Sequence, residues 1–132
     1  MTRADREAYY VMLSESLTRK ARTDLLSFTE ATMPNFDPAE FHRRYYARLT
    51  DFARGNIDRL MVFVPPQHGK SEGSTRRLPA FVLGQKPDTK IAIVSYSATK
   101  ARKFKREIQR IIDTEEKRRN LPATRHNTTN GT

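Results

Sequence analysis

The sequence predicts an α/β fold: a parallel sheet preceded by helices. Three observations carry this. Two unbroken apolar runs of strand length, Leu60-Met61-Val62-Phe63-Val64 and Ile91-Ala92-Ile93-Val94, are each followed by a segment that reads as helix, giving strand–helix–strand–helix. Upstream of Gly55 the apolar residues recur every three or four positions instead of every two. Gly69-Lys70-Ser71 stands at the first strand-to-helix junction, a position suited to holding an anion.

Taken in order, Tyr10, Leu13, Leu17, Ala21, Leu25 and Phe28 form an apolar stripe over one or two helices, which suits core or a partner-facing surface. Met33 to Pro38 punctuates the chain. A helix should start there, with Asp37 as N-cap, Pro38 at its first position and Glu40 completing a capping-box spacing. It should bury Phe41, Tyr45, Leu49 and Phe52 and stop at Gly55. Leu60–Val64 then reads as a strand buried on both faces. A helix follows from about Ser71 to Leu83, with Pro79 as a kink or break, then a turn over Gly84–Asp88 and the second strand at Ile91–Val94. A long helix runs from Ala98 to about Arg119, its inner face Ala101, Phe104, Ile108 and Ile111 or Ile112. The expected organisation is a helical region over 1–55, a strand–loop–helix–strand–helix core over 56–121 and a polar tail over 122–132.

The 132 residues suit one domain or part of one. Lys and Arg number 25 against 15 Asp and Glu, a net charge of +10, which favours polyanionic partners. With no cysteine there is no disulfide framework, thiolate metal site or cysteine nucleophile. No apolar run approaches the roughly 18 residues of a membrane helix, and no signal-peptide stretch opens the chain. A soluble, intracellular, basic protein is expected, with no membrane partner.

The chemistry lies in Gly69-Lys70-Ser71. The phosphate-binding loop pattern is G-x-x-x-x-G-K-[ST] between strand and helix; here Val64 replaces the first glycine. Pro65-Pro66 would stiffen the loop in place of that glycine's turn. A glycine lets the backbone approach phosphate oxygens, and successive N–H groups at a helix start form an anion nest. Lys70 supplies a point charge for β- and γ-phosphates, and Ser71 a hydroxyl for Mg²⁺. The alternative is a surface turn that happens to read GKS.

Val64 to Glu72, read as VPPQHGKSE, resembles the deviant Walker A loop of the large terminase subunits of tailed phages. The resemblance extends through Arg77–Gly84, Pro87-Asp88 and Ile91–Ala98, and more loosely over residues 25 to 127, with Phe41-His42 and Gly55–Leu60 upstream. It implies a partial P-loop NTPase of the RecA-like (ASCE) type. The function implied is an ATPase motor that drives double-stranded DNA into a preformed capsid, followed by a nuclease domain. ATP and Mg²⁺ would be the cofactors. The partners would be DNA, the small terminase subunit and the portal, in the host cell cytoplasm; the oligomeric state is left open.

Carried over by residue, the nucleotide site would comprise Pro66, Gln67, His68, Gly69, Lys70, Ser71 and Glu72, with Ser71 on the metal. Gln67 stands where many members have an arginine, so the charge-sensing role is in doubt. His68 fits loop structure at least as well as catalysis. His42 with Tyr45 or Tyr46 would approach the adenine, although helix surface and core explain them equally. Ser95-Tyr96-Ser97 stands at the carboxyl end of the second strand, where open α/β sheets bind ligands; a coupling or DNA-facing role there and a plain helix cap at Ser97 fit equally.

No apolar strand ending in Asp-Glu follows Val94, so the sequence reads as the front of a terminase ending before its Walker B strand. It assigns no catalytic residue, and two strands promise marginal stability. On the last helix, Lys100, Lys103, Arg106 and Arg110 line the outer face, with Arg102 and Lys105 beside them. They suit duplex-DNA phosphates or a merely solvated face. The other readings are a non-enzymatic basic module that binds DNA or a partner, its loop vestigial, and a fragment of another P-loop enzyme.

Overall fold

The computed structural model describes residues 2–120, and every regular element in them is helical. The elements are α1 (Arg3–Ala21), α2 (Leu25–Thr32), α3 (Glu40–Ala53), a π-helical segment (Glu72–Arg77) that runs directly into α4 (Leu78–Gln85), and α5 (Ala98–Asn120). The polar tail expected over 122–132 lies outside the described residues, as do the side chains of Tyr10, Leu13 and Leu17.

The expected parallel sheet is not formed: among the described residues there is no strand. Leu60–Val64 and Ile91–Val94 are irregular, and among the described residues their backbones enter no backbone–backbone hydrogen bond outside the helices. The physical reason is partnership. A parallel strand buried on both faces needs a neighbour on its edge and a cover on each side. Here Leu60–Val64 is covered on one side only, and Ile91–Val94 has no buried residue. Leu60 and Val62 pack on the core, while Met61 and Phe63 between them are 78% and 85% exposed and Val94 is 93% exposed. Open grooves of about 590 Å³ and 450 Å³ border Ile91 and Ile93, one toward Phe52 and Val82, the other toward Leu83 and Ile108. Apolar composition supplied the strand signal, but among the described residues no second strand lies beside either run.

Local sequence explains the helix ends. Thr2 caps α1 through a reciprocal pair: Asp5 N–H donates to Thr2 Oγ1 (3.1 Å) and Thr2 N–H donates to Asp5 Oδ2 (2.8 Å). These bonds hold the Asp5 carboxyl below its ordinary range. Asp24 caps α2, accepting from Ser27 N–H at 2.9 Å. The start of α3 differs from expectation. The N-cap is Ala39, not Asp37, and its N–H donates to His42 Nδ1 at 3.1 Å. Pro38 therefore precedes the helix, and His42 takes the place the capping box assigned to Glu40. Gly55, at φ +79°, closes the C-terminal end of α3, where a side chain would be strained.

The core joins both halves of the chain: Leu25 from α2, Tyr45, Tyr46 and Leu49 from α3, and Phe81 from α4. Phe28 meets Phe81 edge-on at 5.7 Å. Each such side chain contributes about 1.5–3 kcal/mol through burial. Thr50 ties α2 to α3, accepting from Leu25 N–H (3.2 Å) while donating to the Tyr46 carbonyl (2.8 Å). Of the four positions expected to be buried on α3, Tyr45 and Leu49 are, whereas Phe41 and Phe52 sit at the rim, 36% and 37% exposed. On α5, Phe104 and Ile108 are buried, as the periodicity predicts.

Candidate functional site

The loop from Pro66 to Ser71 is shaped by two left-handed residues. Gly69 has φ +74°, natural for glycine, and Gln67 has φ +64°, which a side chain rarely adopts. Gln67 is the one non-glycine residue with positive φ among the described residues. Helix begins at Lys70 and continues through the π segment into α4, so the loop ends on a helix N-terminus with free N–H groups and a positive dipole end.

Helix α3 lies against this loop. Tyr45 Oη donates to the Lys70 carbonyl at 2.8 Å, and Ser74 Oγ donates to the same oxygen at 2.8 Å. Burial pushes the Tyr45 hydroxyl up from its ordinary pKa. With that carbonyl claimed by hydroxyls, the next turn closes at wider spacing, Leu78 N–H reaching the Gly73 carbonyl. This is the π segment, a form found often at functional sites. Pro79, expected as a kink, stands where the π spacing returns to α and has no N–H to place in either ladder.

Gly73 makes this close packing possible. A Cβ there would lie 2.9 Å from Tyr45 Cε1 and 3.2 Å from Tyr46 Cζ and Oη. His42 reaches the loop as well, since a Cβ on Gly69 would lie 3.6 Å from its Nε2. Because Nδ1 accepts from Ala39, the neutral ring carries its proton on Nε2, the side facing the loop. His68 donates through Nδ1 to the Pro66 carbonyl at 2.8 Å and meets Phe41 edge-on at 6.1 Å.

The sequence-derived site residues thus divide. Pro66, Gln67, His68, Gly69 and Lys70 are exposed on one loop. Lys70 joins none of the ion pairs among the described residues, and Ser71 makes no side-chain capping bond. Glu72 points to other work: its carboxylate accepts from Arg77 Nε at 2.8 Å and Arg76 Nη1 at 3.1 Å. Tyr46, offered with Tyr45 near the adenine, is fully buried in the core, and burial raises its hydroxyl to about 12. Tyr45 spends its hydroxyl on the loop backbone.

Comparison with protein-family models, with curated proteins and with solved structures finds no match to this chain. The loop is therefore read from its own geometry.

The sequence reading missed the anchor behind the loop. Arg77, 9% exposed, donates to Glu72 and, through Nη1, to Thr32 Oγ1 at 2.7 Å. Arg76 bridges Glu72 to Glu107 of α5, its Nε donating at 2.6 Å, and lies 5.2 Å from the Phe104 ring centroid. Glu72 and Arg76 stand four apart, the one local sign of this network. The partners Thr32 and Glu107 are distant in sequence and carry no such sign. No group of three or more His, Cys, Asp or Glu residues able to hold a metal occurs among the described residues.

Proposed function

We propose that this chain binds a nucleoside triphosphate with Mg²⁺, ATP by resemblance to the large terminase subunits, at the loop Pro66–Ser71. The observation that carries the reading is the pair of positive-φ residues, Gln67 and Gly69, immediately before a helix that opens on Lys70 and Ser71. Two residues turned left-handed next to a helix start direct successive N–H groups to one side, which is the physics of an anion nest.

Each residue has a role in binding. Gly69 gives the phosphate chain its closest approach to backbone. Lys70, exposed and outside the ion pairs, neutralises terminal phosphate charge, while its carbonyl is anchored by Tyr45 and Ser74. Ser71 would hold Mg²⁺, which when bound bridges phosphate oxygens and offsets their charge. A single hydroxyl is a sparse ligand set, but Mg²⁺ commonly keeps several waters and takes its other ligands from phosphate. Glu72, already paired with two guanidinium groups, adds no free negative charge beside the phosphates. His42 offers an Nε2–H donor from the α3 side. The proposal is for binding; no residue is assigned to turnover, and the packaging-motor role rests on the resemblance alone.

The test is titration of a fluorescent ATP analogue with Mg²⁺ against the wild-type chain and Lys70→Ala, with circular dichroism verifying that both fold. Saturable binding that is lost in the variant supports the reading. Equal binding by both, or none by folded wild type, refutes it.

A second reading has its own observation. Between Lys100 and Arg110 the outer face of α5 presents only cations and neutral side chains, because Glu107, the carboxylate in that stretch, is turned onto Arg76. This supports DNA phosphate binding by α5, with or without a working loop.

A further inference from the structure

At the head of α5 an exposed aromatic ring meets the start of a cationic track. Tyr96 is 89% exposed and stands two residues before the helix begins at Ala98. The ring is nevertheless braced: the Lys100 ammonium lies 4.9 Å from its centroid and donates to its hydroxyl at 3.5 Å. Lys100 is placed by the first helical turn, its N–H donating to Ser97 Oγ at 3.4 Å. From there Lys103, Arg106 and Arg110 follow at spacings of three and four, with Arg102 and Lys105 beside them, all exposed. The stretch from Lys100 to Arg110 covers about 15 Å of helix. None of these six cations joins an ion pair among the described residues. The one carboxylate within the stretch, Glu107, is only 24% exposed and held inward by Arg76.

We propose that Tyr96 and this track form a site for single-stranded nucleic acid. An unpaired base stacks on the Tyr96 ring while the following phosphates run along Lys100, Lys103, Arg106 and Arg110. The argument is one of complementarity. Cations alone attract any polyanion and read only phosphate. An exposed ring at the end of the cations adds affinity only for a ligand that can offer it a π-face. A duplex keeps its bases stacked on one another, and an anionic lipid surface has none. Stacking platforms joined to a basic track are the general solution for unpaired strands. This deepens the polyanion reading of α5 by naming the ligand class, and it is independent of the phosphate loop.

The experiment is fluorescence anisotropy with three labelled probes: a fifteen-nucleotide oligothymidylate, the corresponding oligouridylate and a fifteen-base-pair duplex. Wild type is compared with Tyr96→Ala, Tyr96→Phe and the double variant Lys103→Ala/Arg106→Ala. Tyr96→Ala should weaken oligothymidylate binding by about fivefold to 150-fold, since stacking contributes about 1–3 kcal/mol per base. Tyr96→Phe should stay within about threefold, because the ring is kept. Duplex binding should be unchanged by either Tyr96 variant, and the double variant should weaken all probes and flatten their salt dependence. The oligouridylate arm tells whether the strand is DNA or RNA. If the double variant weakens binding but Tyr96→Ala changes nothing, α5 is a phosphate surface and the stacking claim is overturned. An equal loss on single strand and duplex, or no binding by wild type, overturns it too. Tyr96 lies outside the core, and circular dichroism verifies the fold of each variant.

Discussion

Replacing Gly73 with alanine tests the packing that holds the loop against α3. The added Cβ would sit 2.9 Å from Tyr45 Cε1 and 3.2 Å from Tyr46 Cζ and Oη. Tyr46 is fully buried and Tyr45 is 6% exposed, so neither ring can swing into solvent to make room. Overpacking of this kind costs about 1–3 kcal/mol, and here Tyr45 cannot retreat without loosening its bond to the Lys70 carbonyl. Alanine gains about 1 kcal/mol over glycine in a helix, leaving a net loss of up to about 2 kcal/mol. Gly84 is the control: it lies in α4, is exposed, and has nothing within 4 Å of a Cβ. Gly84→Ala should therefore stabilise by about 0.5–1 kcal/mol. Urea denaturation followed by circular dichroism reads both, and the midpoints should move in opposite directions, Gly73→Ala downward by up to about 1 M. A Gly73→Ala protein as stable as Gly84→Ala would refute the close approach of α3 to the π segment.

Two further outcomes follow from buried polar groups. Tyr46 is raised from 10.0 to about 12, chiefly by burial. The native state therefore holds this proton longer than the unfolded chain, and its contribution, complete below pH 10, is lost as pH rises toward 12. The loss is on the order of 2 kcal/mol, and the slope of stability against pH in that window should flatten in Tyr46→Phe. Arg77→Met removes the bonds to Glu72 and Thr32 and should cost about 2–3 kcal/mol in urea denaturation, whereas Arg3→Ala, which breaks a wholly exposed pair, should cost less than about 0.5 kcal/mol.

Much of the helical content was legible in the residues. The three-and-four spacing of Tyr45 and Leu49, and of Phe104 and Ile108, gives the buried faces of α3 and α5, and Gly55 marks a helix end at its positive φ. The loop was legible as a motif. Its anchors were not, because Tyr45 and Lys70 are 25 residues apart, as is Leu25 from Thr50, and Arg77 from Thr32 is 45. The start of α3 misled for a local reason: Asp37 and Glu40 satisfy a capping pattern, yet a histidine ring nitrogen accepts from the Ala39 N–H equally well. The apolar runs misled for a global one. A run such as Leu60–Val64 states a wish to be buried, not the neighbour that would bury it.

Sequence by itself determined the charge, the helical periodicities and the Gly69-Lys70-Ser71 loop, since each depends on residues adjacent or one turn apart. Only the tertiary structure decided that Leu60–Val64 and Ile91–Val94 enter no ladder among the described residues, that Glu107 turns onto Arg76 and leaves the Lys100–Arg110 stretch of α5 cationic, and that Gly73 must yield its Cβ to two tyrosines. Those facts belong to partners brought together by packing, because a strand, an ion pair and a steric limit each require a second group whose position no local pattern encodes.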